Sequence, residues 1–440
     1  MLANRERLLR AVDTADLNVR YGRIFAFNGL VLESNGPDAH VGELCEIQPR
    51  GHQPPIQAEV VGYNHGRVLM MPYGDMRGVS LDSVVRATGR SLSIPVGEAM
   101  LGRVVDAFGR PLDSLGPWRA DAQYALDREP INPLARASID QPLETGIRCI
   151  DGLLTLGVGQ RVGVFSGSGV GKSTLLGMLA RHVQADVIVV AMIGERGREV
   201  SDFIQHSLGD GLQRSVVIVA TADAPALVRT HAVHSAHAVA EFFRDRGRNV
   251  LLILDSMTRF AMAQREIGLA VGEPPTYRGY TPSVFSLMPK LLERCGRLRD
   301  SGTITAVYSV LVEGDDMNDP IADHMRAILD GHIVLSRSIA ARAHHPAIDV
   351  LHSASRLLSA VASKNEQKLA QQIVELLATF ESARDLLDMG AYQEGSNPLI
   401  DHAVRAMPAI SQVLRQAASE STPRSETLQR LESALNEVRA

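Results

Sequence analysis

Apolar and polar positions change rhythm along the chain, and each change marks a different kind of structure. From Tyr21 to about Pro95 the apolar residues come in short runs, among them Val60-Val61 and Val68-Leu69-Met70-Met71, cut by Gly22, Gly29, Gly36, Gly42, Gly62, Gly66, Gly78 and Gly89. Glycine at such breaks predicts a small β-barrel over residues 21–95. From about Gln141 to Ala343 short apolar runs alternate with helical stretches, which predicts a mostly parallel sheet covered by helices. Candidate strands run through 161–165, 187–193, 215–220, 250–254, 303–311 and 332–335. After Leu357 the strand pattern fades, and Leu369, Ile373, Leu376, Leu377, Phe380 and Leu387 recur at helical spacing. Residues 357–440 are therefore expected to form a helical domain.

Three stretches lie outside this scheme. In the N-terminal segment, residues 1–20, Leu8, Leu9, Ala11 and Val12 sit among charges. They give a short amphipathic helix that either caps its own domain or docks on a partner. The stretch from Gly97 to about Arg136 holds Pro117, Pro130 and Pro133 and reads as the crossing from the barrel into a central domain over 96–356. Near the end, Leu428, Leu431, Leu435 and Val438 repeat the helical period after Pro423, to pack on their own domain or on a partner. The expected fold class is multidomain α/β, with a barrel, a central phosphate-loop domain and a helical domain in that order.

The chemistry centres on Ser166-Gly167-Ser168-Gly169-Val170-Gly171-Lys172-Ser173-Thr174, which joins a strand pattern to a helix pattern. Glycines let backbone N–H groups approach a polyphosphate, and the helix start turns its positive end toward the same anion. Lys172 would reach the outer phosphates and the Ser173 hydroxyl would hold magnesium. Ser166 stands where the general G-x-x-x-x-G-K-[ST] pattern has its first glycine, and Gly167 can still supply the turn. Two carboxylates fall at strand ends. Asp255 closes Val250-Leu251-Leu252-Ile253-Leu254, where a magnesium shell needs negative charge. Glu195 follows the 187–193 run and is either the group that activates water or a loop carboxylate paired with Arg196 or Arg198. Glu199, one helical turn later, reads as a surface or salt-bridge residue.

Bulk composition narrows the classes. The chain has 440 residues, 45% of them hydrophobic and 22% charged, as in ordinary globular proteins. Its formal net charge of -5 argues against nucleic acid as the main ligand, because phosphate neutralisation needs an excess of Lys and Arg. Cys45, Cys149 and Cys295 are widely spaced and show no Cys-x-x-Cys pair, which fits a reducing cytosol. The N-terminus lacks an apolar core of signal-peptide length, and the apolar runs are too short to cross a bilayer. Any work at a membrane would be peripheral.

The loop 167–174, Gly194-Glu195-Arg196, Leu254-Asp255-Ser256 and the segment from Pro346-Ala347-Ile348-Asp349 to Ser355-Arg356 together resemble the rotary ATP synthase catalytic subunit and its relatives. The likeness is closest to the type III protein export ATPases of flagella and injectisomes, with Val312-Glu313-Gly314-Asp315-Asp316-Met317-Asn318-Asp319-Pro320 and Gly390-Ala391-Tyr392-Gln393 among the shared phrases. It covers nearly the whole chain and implies a RecA-like central domain with ATP and Mg2+ as cofactors. The catalytic set it implies is Lys172 as phosphate clamp, Glu195 as general base, Arg196 beside it, and Arg356 as an arginine finger inserted into the neighbouring subunit's site. Gly167, Ser168, Gly169, Val170, Gly171, Lys172, Ser173 and Thr174 would bind the nucleotide, and Ser173 and Asp255 the metal. His345 stands where the family often has an aromatic residue that packs on adenine.

The resemblance also implies a homo-hexamer, a cytoplasmic location peripheral to the inner face of the cell membrane, and three kinds of partner. These are a peripheral-stalk regulator, an export gate and complexes of export substrate with chaperone. The flagellar branch is favoured by the wording of 386–392 and of 102–113. An RNA-translocating ring helicase and a non-catalytic ring subunit are the alternatives. The acidic residues Glu33, Asp38, Glu43, Glu46, Glu59, Asp75 and Asp82 in the barrel region weigh against the first, and Glu195 against the second.

Overall fold

The structure is a computed structural model that describes residues 19–51 and 53–439. The amphipathic segment expected at the N-terminus lies outside the described residues. The rest of the chain divides into two compact units. One holds the barrel through Ser93, with Pro225–Val228 and Ala263–Pro282; the other holds the remaining chain.

In the first unit, six antiparallel strands close a barrel in the order β1 (Tyr21–Asn28), β2 (Val31–Asn35), β5 (Arg67–Pro72), β4 (Ile56–Asn64), β3 (Glu43–Ile47) and β6 (Val84–Ser91), with β6 back on β1. Alternation along each strand sends Ile24, Leu32, Cys45, Ile47, Val60, Met70 and Val85 inward as one buried core. Closure removes the edges that short strands would otherwise expose. Gly22 is fixed by space: a Cβ there would run into the Gly36 carbonyl.

The second unit is built on a nine-stranded sheet. Its strands are β7 (Arg103–Asp106), β8 (Arg161–Ser166), β9 (Val187–Ile193), β10 (Ser215–Ala220), β11 (Asn249–Asp255), β12 (Thr303–Leu311), β13 (Gly331–Leu335) and β14 (Ile348–Ser355), with Gly296–Arg297 added beside β12. Their order is β14-β13-β8-β12-β11-β9-β10-β7. Neighbours from β13 through β7 run parallel, and β14 returns antiparallel on β13. β9 and β10 are buried at every position, as expected of strands covered on both faces.

Two strands depart from the sequence expectation. The crossing segment is not only a linker, because its Arg103–Asp106 pairs with β10 as an edge strand. Ile348–Ser355, absent from the candidate strands, extends the sheet on its other side just before Arg356.

The principal helices of this unit are α1 (Arg148–Leu153), α2 (Lys172–His182), α3 (Gly197–Asp202), α4 (Ala226–Arg244), α5 (Met257–Ala270), α6 (Lys364–Asp388), α7 (Pro398–Leu414) and α8 (Arg424–Arg439). Ser363 caps α6 with its hydroxyl on the Glu366 N–H, while Glu366 reaches back to the Ser363 N–H at 2.6 Å. Ile373 of α6, Ile410 and Leu414 of α7, and Leu431 and Leu435 of α8 join one buried cluster with Ile150 of α1 and Leu176 of α2. Each such side chain fully buried contributes roughly 1.5–3 kcal/mol. The last helix therefore packs on its own unit. Helical and nucleotide-side elements share this core.

Gly22→Ala should destabilise the barrel by about 1–3 kcal/mol, because the methyl group has no place to go. Urea unfolding of the variant against wild type checks this, with Gly29→Ala, whose Cβ position is open, as the comparison for strain alone.

Candidate active site

A parallel sheet brings the carboxyl ends of its strands to one edge, and the loops there form the site. Register shows which ends are neighbours. Ser166 at the end of β8 pairs with Leu311 of β12 and Leu335 of β13. Leu254 of β11 pairs with Tyr308 of β12, and Met192 of β9 with Asp255.

The loop from β8 to α2 turns through two left-handed glycines, Gly169 at φ 77° and Gly171 at φ 100°. Gly171 is the N-cap of α2 and offers no side chain to its first N–H groups. Those donors are left for an anion. A Cβ at either glycine would meet nothing within 4 Å, so the loop borders open space. Gly167 and Val170 are buried and anchor it, while Ser168, Ser173 and Thr174 are exposed.

Lys172 is half-buried and its ammonium lies between two acids. It donates to Asp255 Oδ1 and stands 3.8 Å from Glu195 Oε1. Ser309 of β12 donates its hydroxyl to the same Asp255 Oδ1 at 2.5 Å. Asp255 is 4% exposed and Glu195 9%. Burial pushes the Glu195 carboxyl up to about 7, helped by a hydrogen bond with Glu199 and by the Asp255 charge, and opposed by Lys172 and Arg259. Glu199 moves the other way: as acceptor of the Glu195 bond it is held below the usual carboxylate range. Glu199 is exposed, as the surface reading has it, yet it also touches the candidate base. Arg196 is exposed at the N-cap of α3, its N–H directed to Glu199 at 3.5 Å.

Arg259 also borders the site, a position not singled out from the sequence. It lies in the first turn of α5, directly after Asp255-Ser256-Met257-Thr258. Gly194, at φ 69°, brings the chain so near that a Cβ there would sit 3.1 Å from the Arg259 Cβ. Its Nε is buried with no hydrogen-bond partner among the described residues, and so is the Ser166 hydroxyl at the loop's start. An orphaned buried guanidinium N–H beside an open glycine loop suits a phosphate oxygen. The signal available in sequence was an arginine one turn into the helix after a strand-terminal aspartate.

His345 and Arg356 lie on different edges. Ile348, at the start of β14, pairs with Leu335, so His345 belongs to the same edge as the loop, two strands away. It is exposed, and its carbonyl accepts the Gln416 N–H at 2.8 Å. Arg356 follows the end of β14, on the opposite edge. Its N–H bonds to Asp330 O, and Asp330 N–H to Arg161 O at the start of β8. The length of β8 then separates it from its own loop, roughly 16 Å at the rise of a strand. It is exposed and donates Nη2 to Arg326 O at 3.0 Å.

The arrangement fits a magnesium–nucleotide: N–H donors and a lysine for phosphate, an exposed hydroxyl at Ser173 and a carboxylate at Asp255 for the metal. Comparison with known proteins places a nucleotide-binding domain over the same residues. The ATP synthase alpha/beta family models match over residues 146–355 for the nucleotide-binding domain and 24–89 for the beta-barrel domain. The T3SS EscN ATPase C-terminal domain matches over 362–433. The flagellum-specific ATP synthase of Bacillus subtilis is 49% identical over 417 residues, 94% of this chain and 95% of that protein. The type 3 secretion system ATPase of Xanthomonas euvesicatoria is 46% identical over 432 residues, 98% of each. The assembled ATPase EscN of the enteropathogenic E. coli type III secretion system superposes with a TM-score of 0.88 at 42% identity, over 94% of this chain and all of that one. This chain belongs to the ATP synthase alpha/beta family and, within it, to the flagellar and type III secretion ATPases.

Proposed function

We propose that the chain is the catalytic subunit of a ring, a homo-hexamer, that hydrolyses ATP to energise protein export through a type III apparatus. The observation that carries this is the ammonium of Lys172 held between Asp255 and Glu195 at an open glycine loop. Relatives named for the flagellum and for type 3 secretion match at 49% and 46%, and export is what those two settings share. Relatives of both kinds are named as ATP synthase or ATPase, which favours turnover over a merely structural nucleotide.

Phosphate entering the loop draws Lys172 off its acids and onto the outer phosphates, with the α2 N–H groups and Arg259 around it. The Ser173 hydroxyl and Asp255 would hold magnesium, which when bound neutralises charge on the phosphates. Glu195, poised near neutrality by burial, accepts the proton of the attacking water. Arg356 is too far from its own loop to help there, so it serves a neighbour, where a guanidinium meets the charge that spreads over the transferring group.

Around the ring, the helical domain is the face offered to the export gate and to complexes of substrate with chaperone. Leu386, Met389 and Leu399, exposed by 46%, 72% and 72% about the turn from α6 to α7, support that face. The N-terminal segment is the side for a peripheral-stalk regulator. EscN was solved in complex with its central stalk EscO, and a stalk in this ring's centre follows the same plan. Among the described residues no helix is long and apolar enough to cross a membrane, which suits a subunit peripheral to the inner face.

Two outcomes test this. Because Glu195 must be ionised to act, kcat/KM for ATP should rise with pH through a midpoint near 7. Glu195→Gln should abolish that limb and lower turnover at least ~100-fold while ATP still binds, whereas an unchanged limb assigns it to another group. Arg356→Ala and Lys172→Ala should each be inactive alone, yet mixed before assembly they should recover up to about a quarter of wild-type activity through hybrid sites. No recovery removes Arg356 from the neighbour's site.

A further inference from the structure

Between α7 and α8 the chain makes an irregular turn over residues 415–423, and its hydrogen bonds lead out of the helical domain. Arg148, buried at the start of α1, directs Nε to Val413 O at 2.6 Å and Nη1 to the Thr422 hydroxyl at 3.0 Å. Its Nη2 donates to Arg415 O and lies 3.3 Å from the Glu420 carboxylate. The N–H of Arg148, one of the unpaired donors at a helix start, goes to Gln416 Oε1 at 2.8 Å. Gln416 is buried too, and its Nε2 donates to Gly146 O at 2.7 Å and Glu420 O at 2.9 Å. With acceptor and donor sides of the amide both engaged, the turn is held in one position.

One arm runs from this turn to the His345 segment at the nucleotide edge, and another to the far end of the helix that begins at the phosphate loop. The Gln416 N–H holds the carbonyl of His345 at 2.8 Å. Arg181, in the last turn of α2, donates Nη2 to Ala418 O at 2.6 Å, and α2 begins at the phosphate loop. A short helix moves as a rod, so whatever shifts its end shifts the loop. Among the described residues, none of the turn's bonds reaches Lys172, Glu195 or Asp255.

We propose that Arg148 and Gln416 are positioning residues that set the affinity for ATP from the helical domain. They fix a turn that braces the His345 segment on one side and the phosphate helix on the other. The inference rests on reading the loop and His345 as phosphate and base contacts. Because the clasp touches the binding walls and leaves the reacting groups alone, its loss weakens ground-state and transition-state binding equally. Partners that bind the helical domain would then change nucleotide affinity by moving this turn.

Steady-state ATPase kinetics of the full chain test it. Gln416→Ala and Arg148→Lys, which cannot form the guanidinium fork, should raise KM for ATP about tenfold with kcat within about twofold of wild type. Arg424→Ala, which breaks the 2.6 Å bond to Glu366 between α8 and α6, should lower thermal stability but leave KM in place. The clasp is overturned by wild-type KM in both Gln416→Ala and Arg148→Lys, by kcat falling in proportion to kcat/KM, or by an equal KM rise in Arg424→Ala. Should Gln416→Ala not fold, Arg148→Lys alone decides. His345→Ala separates the underlying reading: an unchanged KM there with a raised KM in Gln416→Ala retires His345 from the base and leaves the clasp acting through α2.

Discussion

The half-buried ammonium of Lys172 lies between two acidic side chains, Asp255 and Glu195, at the edge of a parallel sheet. In a site this dry Lys172 favours the ionised form of Glu195, yet burial, the Glu199 bond and the Asp255 charge still hold that carboxyl up to about 7. Phosphate competes for the same ammonium. On the proposed reading, when phosphate takes Lys172, magnesium at Asp255 and guanidinium groups around the phosphate would restore the positive charge. Arg259 stands ready within the chain, with a buried N–H that has no partner among the described residues. Arg356 lies on the opposite edge of the sheet, so on the proposed reading the second guanidinium is a neighbour's Arg356. The need for a neighbour is thus a matter of strand direction as much as of charge.

The sheet gives both properties at once. Parallel strands β8, β9 and β11 deliver the loop, Glu195 and Asp255 to one edge, while the antiparallel return of β14 carries its start, near His345, to that edge and its end, at Arg356, to the other. On the proposed reading, one strand would present a base-side segment to the chain's own nucleotide and a finger to the next subunit. The shared core of α1, α2, α6, α7 and α8 makes the helical domain part of the same packed body, so a push on the helices is felt at the loop.

Much of this could be read from the chain, and the part that could not has a physical pattern. The sheet's core strands were legible because short continuous apolar runs such as Val187–Ile193, alternating with helical stretches, suit strands covered on both faces. The loop and Asp255 were legible because their chemistry is local, a few residues at a strand end. β7 was missed because Arg103–Asp106 is short and followed by turn residues, and only pairing with β10 makes it a strand. Glu199 looked like a surface group and is one, but its bond to Glu195 depends on how α3 leaves the loop. Arg259 needed the close approach at Gly194 to show which acid it faces. The Arg148–Gln416 clasp joins residues 268 positions apart, a separation at which no spacing rule operates.

Specific ATPase activity measured against protein concentration tests the central claim most directly, that each site is completed by a neighbour's Arg356. The account predicts activity per subunit climbing steeply as rings assemble, and a flat, low response for Arg356→Ala over the same range. Full specific activity at dilutions where the protein is monomeric would contradict it.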